Sequence, residues 1–129
     1  MKKILVVDDC KTITDLVKLI LESSGYSCST ANSATECLSL LRTKRFDLIL
    51  LDIAMPEVSG IDMLKNAKED GTPLIHTRIV LFTASSLTDA QINDLKNQYG
   101  VLDCIKKPMT RAKLLEVVGR CLSESVRIG

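Results

Sequence analysis

Five side chains of this 129-residue chain could do chemistry together. Asp8 and Asp9 directly follow the apolar run Ile4-Leu5-Val6-Val7. Asp52 follows Leu48 to Leu51, Thr83 follows Ile79 to Phe82, and Lys107 lies just past Val101 to Ile105. Carboxylates without a histidine or cysteine among them suit a hard cation, and Mg²⁺ is the natural candidate, since it takes one or two carboxylates and keeps positions for water and phosphate oxygens. A lysine beside them balances charge and can hold a phosphoryl group as a point charge, and a threonine hydroxyl can donate to a phosphoryl oxygen. These are the components for moving a phosphoryl group onto a carboxylate. Each residue also has an ordinary reading. Asp8 and Asp9 could cap a helix, although a cap needs one acid. Asp52 could be a turn carboxylate, Thr83 a β-branched strand residue and Lys107 a solvated loop lysine. The ordinary readings leave unexplained why all of them fall at the ends of apolar runs.

The elements that would position these residues alternate between strand and helix. Leu48 to Leu51 and Ile4 to Val7 read as strands buried on both faces. Ile13, Leu16, Val17, Ile20 and Leu21 recur at helical spacing, and Gly25 stops that helix. Tyr26 to Ala31 alternates, with Tyr26, Cys28 and Thr30 on one side and Ser27 and Ser29 on the other, so this strand belongs at a sheet edge. Ser33 and Glu36 pair as a capping box for a helix carrying Cys37, Leu38 and Leu41. A helix from about Gly60 turns Ile61, Leu64 and Ala67 inward, and a loop with Gly71 and Pro73 follows. Ile79 to Phe82 is another buried strand, and Thr88 and Gln91 cap a polar helix marked by Ile92, Leu95 and Tyr99. Val101 to Ile105 is the fifth strand. Thr110 caps a last helix with the stripe Leu114, Val117, Val118 and Cys121.

Five βα units of this kind predict a five-stranded parallel sheet flanked by five helices. The edge-like second strand suits the flavodoxin-like order 2-1-3-4-5, which makes strands one and three neighbours. All carboxyl ends of a parallel sheet lie on one side, so Asp8, Asp9, Asp52, Thr83 and Lys107 are expected in one crevice, three carboxylates among them. Like charges at such range raise one another's pKa or demand a cation.

Composition narrows the class. Hydrophobic residues make up 46% and charged residues 26%, as in a globular chain. A net charge of +1 argues against direct nucleic-acid or anionic-membrane binding. No apolar run approaches the ~20 residues of a membrane span, and Asp8-Asp9 cuts the first run too short for a signal-peptide core. Five scattered cysteines with no C-x-x-C pair disfavour disulfides and a cysteine zinc site, and fit a reducing cytoplasm. His76, alone in a polar loop, reads as a surface residue. One domain is expected over 1–123, with a short tail at 124–129.

The chain resembles a receiver domain of the two-component response regulators, of single-domain chemotaxis-regulator plan. The matching residues are Val6-Val7-Asp8-Asp9, Asp52-Ile53-Ala54-Met55-Pro56 with Gly60 beyond, Leu81-Phe82-Thr83-Ala84, and Lys107-Pro108. The resemblance runs from about 2 to 122, and the D-x-x-M-P-x-x-x-G run is its most specific part. It implies that Asp52 is phosphorylated, and that Asp9, Asp52 and the backbone carbonyl of Ala54 bind Mg²⁺, with Asp8 acting through a metal-bound water. It implies that Lys107 pairs with Asp52 and then with the phosphoryl group, while Thr83 follows the phosphate. It also implies a cis Lys107–Pro108 bond, and that Ala54 and Ser85 influence phosphoryl lifetime. Lys106 is a rival for the lysine role, but the related sequences place their lysine directly before the proline, and neighbouring strand residues face opposite ways. Three positions depart from the pattern. Cys104 stands where an aromatic is usual, Met109 where a phenylalanine is common, and Thr14 where an arginine is common. A small thiol cannot make the aromatic's rotameric change, which puts the threonine-linked switch in question.

The resemblance further implies a histidine kinase or phosphotransfer protein as donor. The implied output is a downstream partner or self-association through the 88–123 face, since nothing resembling an effector follows 123. Such a module promotes its own phosphorylation and dephosphorylation but is not an enzyme on outside substrates. Relay or sink behaviour without its own output is the near alternative. A Mg²⁺-dependent phosphohydrolase is the more distant one, against which Ala54 occupies the second position of the expected D-x-D.

Overall fold

The computed structural model describes residues 1–53, 60–69, 78–83 and 87–123, the side chains at 60, 61, 67 and 68 excepted. Ala54, His76, Ser85 and the 124–129 tail lie outside the described residues. The apolar runs form parallel strands: β1 (Lys3–Val7), β2 (Ser27–Ala31), β3 (Leu48–Asp52), β4 (Arg78–Thr83) and β5 (Val101–Lys106). Between and after them come α1 (Lys11–Ser23), α2 (Ala34–Thr43), α3 (Gly60–Glu69), α4 (Asp89–Tyr99) and α5 (Arg111–Leu122). The strands are ordered 2-1-3-4-5 and every pair is parallel, as the βα alternation and the half-polar β2 predict.

Strand alternation sorts the core into two layers. Ile4, Val6, Leu48, Leu50, Val80 and Phe82 pack with Val17 and Leu21 of α1 and Leu114, Val117, Val118 and Cys121 of α5. Leu5, Val7, Ile49, Leu51 and Leu81 pack with Cys37 and Leu41 of α2, Met63 and Leu64 of α3 and Leu95 of α4. Every residue of β3 is buried, as a central strand covered on both faces requires. Fully burying one such Leu or Ile contributes about 1.5–3 kcal/mol.

The caps follow local chemistry. Thr88 and Gln91 form a reciprocal capping box at α4, and the Thr110 hydroxyl accepts the Lys113 N–H at α5. Ser33 accepts the Glu36 N–H, but the Glu36 carboxylate reaches back to the N–H of Asn32, so the expected box is shifted by one residue. Gly25, at φ 94°, takes the left-handed position just past α1. One expectation needs correction. Leu16 recurs with the apolar residues of α1 at helical spacing, yet it is 56% exposed. The buried face runs instead through Thr14, Val17 and Leu21. Thr14 can occupy an inner position because its hydroxyl is satisfied, donating to the Lys11 carbonyl and accepting from Asn32.

Between Val101 and Asp103, β5 slips register against β4 by one residue. The slip re-phases the strand, so Val101 and Cys104 both turn toward the α2–α4 layer, while Leu102 and Ile105 turn toward α1 and α5. Among the described residues no helix is long and apolar enough to cross a membrane. All five cysteines are free.

Candidate phosphoryl-transfer and metal site

Strand order and register assemble the site. Val7 pairs with Leu51, which sets the following residues, Asp8 and Asp52, side by side. Asp52 pairs with Phe82, and Thr83 pairs with Lys106. By alternation Asp8, Asp52, Phe82 and Lys107 fall on the α1/α5 side, and Thr83 and Lys106 on the other. Lys107 therefore reaches the acids, whereas Lys106 is exposed. The Lys107 backbone N–H donates to the Thr83 carbonyl at 2.9 Å, which ties the end of β5 to the end of β4. The Lys107–Pro108 peptide is cis, as the resemblance implies.

Asp8, Asp9 and Asp52 bring one oxygen each to within 4.8 Å of one another. Asp8 and Asp52 are buried, at 1% and 3% exposure, and Asp9 is exposed. The Lys107 Nζ lies 2.6 Å from Asp8 Oδ2 and 3.3 Å from Asp52 Oδ2, so it bridges the two buried acids and sits closer to Asp8. Burial works against the Lys107 ammonium, but the Asp8 hydrogen bond and the Asp52 and Asp8 charges outweigh it and hold its pKa above the ordinary lysine value. The remaining oxygen of Asp8 accepts the Cys10 N–H at 2.9 Å. Thr83 is buried at the last position of β4.

Four of the predicted site residues thus converge, Asp8, Asp9, Asp52 and Lys107, while Thr83 ends the adjoining strand and is tied to the site through its backbone carbonyl. Ala54 lies outside the described residues. Phe82 was not anticipated. Its ring lies under the Lys107 ammonium, 4.8 Å from Nζ to centroid, where the negative ring face favours the cation. Phe82 reads first as core, and it shares a face with Lys107 only through the register slip in β5, so the sequence carries no signal for the contact.

Three carboxylates against one ammonium leave two negative charges, which one divalent cation would balance. The donors are all oxygen, few in number, and include one exposed acid through which an ion can enter. This donor set fits Mg²⁺.

Comparison with known proteins bears on this arrangement. Residues 4–119 match the family described as response regulator receiver domain. The transcriptional regulatory protein DltR of Streptococcus agalactiae is 36% identical over 113 residues, which cover 88% of this chain and 48% of DltR. The chain spans about half the length of the first such relatives it matches. The polar-differentiation response regulator DivK of Brucella anthropi is 31% identical over 124 residues, covering 96% of this chain and 98% of DivK. Among solved structures, the response regulator TrrA of Thermotoga maritima in complex with Mg²⁺–BeF is similar at a TM-score of 0.77 and 30% identity, covering 94% of this chain and 99% of TrrA.

Proposed function

This chain belongs to the response regulator receiver domain family, and from that premise we propose that Asp52 accepts a phosphoryl group in a Mg²⁺-dependent transfer. The observation that carries the reading is the buried Asp8–Lys107–Asp52 bridge beside an exposed Asp9, which leaves two negative charges for a divalent ion. Asp9 and Asp52 would hold the ion with the backbone carbonyl of Ala54, and Asp8 would act through a bound water. The ion supplies neutralisation of the charge on the transferring phosphoryl oxygens. The TrrA complex with Mg²⁺–BeF supports carrying that role to this chain.

The donor is a phosphohistidine on a histidine kinase or phosphotransfer protein. A carboxylate oxygen of Asp52 attacks phosphorus in line, the phosphorus–nitrogen bond breaks, and the histidine departs with that electron pair. Lys107 already touches both buried acids, so a small movement of its ammonium brings it onto a phosphoryl oxygen while the Phe82 ring stays beneath it. The Thr83 hydroxyl, on the neighbouring strand end, would follow the phosphate and donate to another once its loop moves. The domain, 1–123 with 124–129 as its tail, promotes its own phosphorylation and dephosphorylation and acts in the cytoplasm. Acyl phosphate formation shifts a two-state equilibrium that a downstream partner or a second copy reads on α4, β5 and α5, the 88–123 face, where Arg120 pairs with Asp103 and Glu116. A relay without its own output is favoured by one observation. Cys104, packed on the α2–α4 side with Thr83's strand, is too small to swing as an aromatic would.

The test is intact mass after incubation with Mg²⁺ and acetyl phosphate. A gain of one phosphoryl group that disappears in Asp52→Asn and on chelation supports the reading. No gain, or a gain that survives Asp52→Asn, contradicts it.

A further inference from the structure

The peptide that joins Asp8 to Asp9 is held from outside its own strand. Its carbonyl, that of Asp8, accepts from Asn32 Nδ2 at 2.8 Å, and the same amide donates to Thr14 Oγ1 at 3.0 Å. Only the NH₂ end of an amide can donate to a carbonyl, so chemistry fixes which way the Asn32 side chain points. The Thr14 hydroxyl spends its own proton on the Lys11 carbonyl at 3.0 Å, which leaves a lone pair for Asn32. Thr14 is fully buried and Asn32 half-buried, so the Thr14 end of the brace is shielded from water. On the other side of the Asp8 α-carbon, the Asp8 N–H donates to the Ala31 carbonyl at 3.1 Å. Both peptide groups flanking Asp8 are therefore bonded to consecutive residues, Ala31 and Asn32, at the end of β2.

This clamp matters most for Asp9. The Asp8 carboxylate is already tied down by the Cys10 N–H and the Lys107 ammonium. Asp9 is exposed, and its direction is inherited from the plane of the peptide that precedes it. Rotating that peptide would swing the Asp9 carboxylate relative to Asp52 while leaving Asp8 in place.

We infer that Asn32, braced by the Thr14 hydroxyl, is a positioning residue for the magnesium site, fixing the Asp8–Asp9 peptide and with it the spacing of the metal-binding acids. The inference rests on the magnesium reading above. Groups that orient a ligand are commonly needed for full metal affinity, and losing one costs about 10–100-fold. Asn32 acts one peptide away from the ligand, so a loss of about five- to tenfold is expected for Asn32→Ala. Thr14→Val keeps the shape but removes the brace, and should cost less. The double variant should bind no more weakly than Asn32→Ala alone, because the two residues act as one unit.

The experiment is calorimetric titration of MgCl₂ into the full chain and these three variants, with no phosphodonor present. Kd is the readout, because a role confined to stability would lower the melting temperature and leave the affinity of the folded chain unmoved. Wild-type binding with the expected order of losses supports the inference. Wild-type binding with folded Asn32→Ala within twofold of it overturns the inference and leaves the magnesium reading standing. A wild-type chain that does not bind Mg²⁺ overturns the magnesium reading and this inference with it. Should Asn32→Ala not fold, Thr14→Val supplies the same comparison, and an unchanged Kd there counts against the brace.

Discussion

Replacing Lys107 with methionine removes the ammonium and keeps most of the stem's volume over Phe82. In the metal-free chain Lys107 is the cation between Asp8 and Asp52, which are 1% and 3% exposed. Without it, two buried carboxylates face each other at no more than 4.8 Å between the nearest ligand oxygens. Two unit charges at that distance repel by about 3.5 kcal/mol at an effective dielectric of 20. Breaking a buried ion pair by deleting one partner costs about 3–5 kcal/mol, so the two routes agree. The expected loss for Lys107→Met is about 3 kcal/mol or more in urea unfolding at neutral pH with a chelator present. Added Mg²⁺ should recover much of it, because the ion replaces the missing positive charge. A loss below about 1 kcal/mol, or a loss that Mg²⁺ does not reduce, would refute the placement of this lysine as the counter-charge of the site.

Further outcomes follow from particular residues. The folded Lys107 pKa is raised above its unfolded value, so its contribution is fully present below about pH 10.4 and is lost as pH rises through the folded value. The stability gap between wild type and Lys107→Met should therefore hold at neutral pH and close as pH rises into the alkaline range, as urea midpoints at stepped pH would show. Burial pushes the Cys28 and Cys37 thiols up to about 12. Alkylation of the native chain at pH 8, followed by peptide mapping, should modify exposed Cys10 first and leave Cys28 and Cys37 unmodified. Thr88→Ala removes half of the reciprocal cap on α4 and should lower stability by about 1 kcal/mol in the same urea assay.

Much of this architecture can be read from residue pattern because it depends on short-range signals. Ile4 to Val7 and Leu48 to Leu51 are unbroken apolar runs, which only a strand covered on both faces makes use of. The polar alternation of Ser27 to Thr30 marks an edge, which suits the observed order and leaves the rest of it to the resemblance. Strand parity separates Lys107 from Lys106. What was not legible depends on packing between distant segments. On α1 the apolar residues form a stripe wider than the face that is finally covered, so the pattern cannot say that Leu16 is left outside while Thr14 turns inward. The slip in β5 has no marker in Val-Leu-Asp-Cys-Ile, yet it determines which layer Cys104 joins. Asn32 looks like any polar residue after a strand. Only the approach of β2 to the Asp8 carbonyl gives it a partner.

The most direct test of the central claim is chemical mapping of the phosphorylated position. Borohydride reduces an aspartyl phosphate to homoserine, while a free carboxylate is inert. After incubation with Mg²⁺ and acetyl phosphate, reduction and peptide mass mapping should find homoserine at position 52 alone, and none when Mg²⁺ is chelated. Homoserine at 8 or 9 instead of 52, or at no position, would contradict the account.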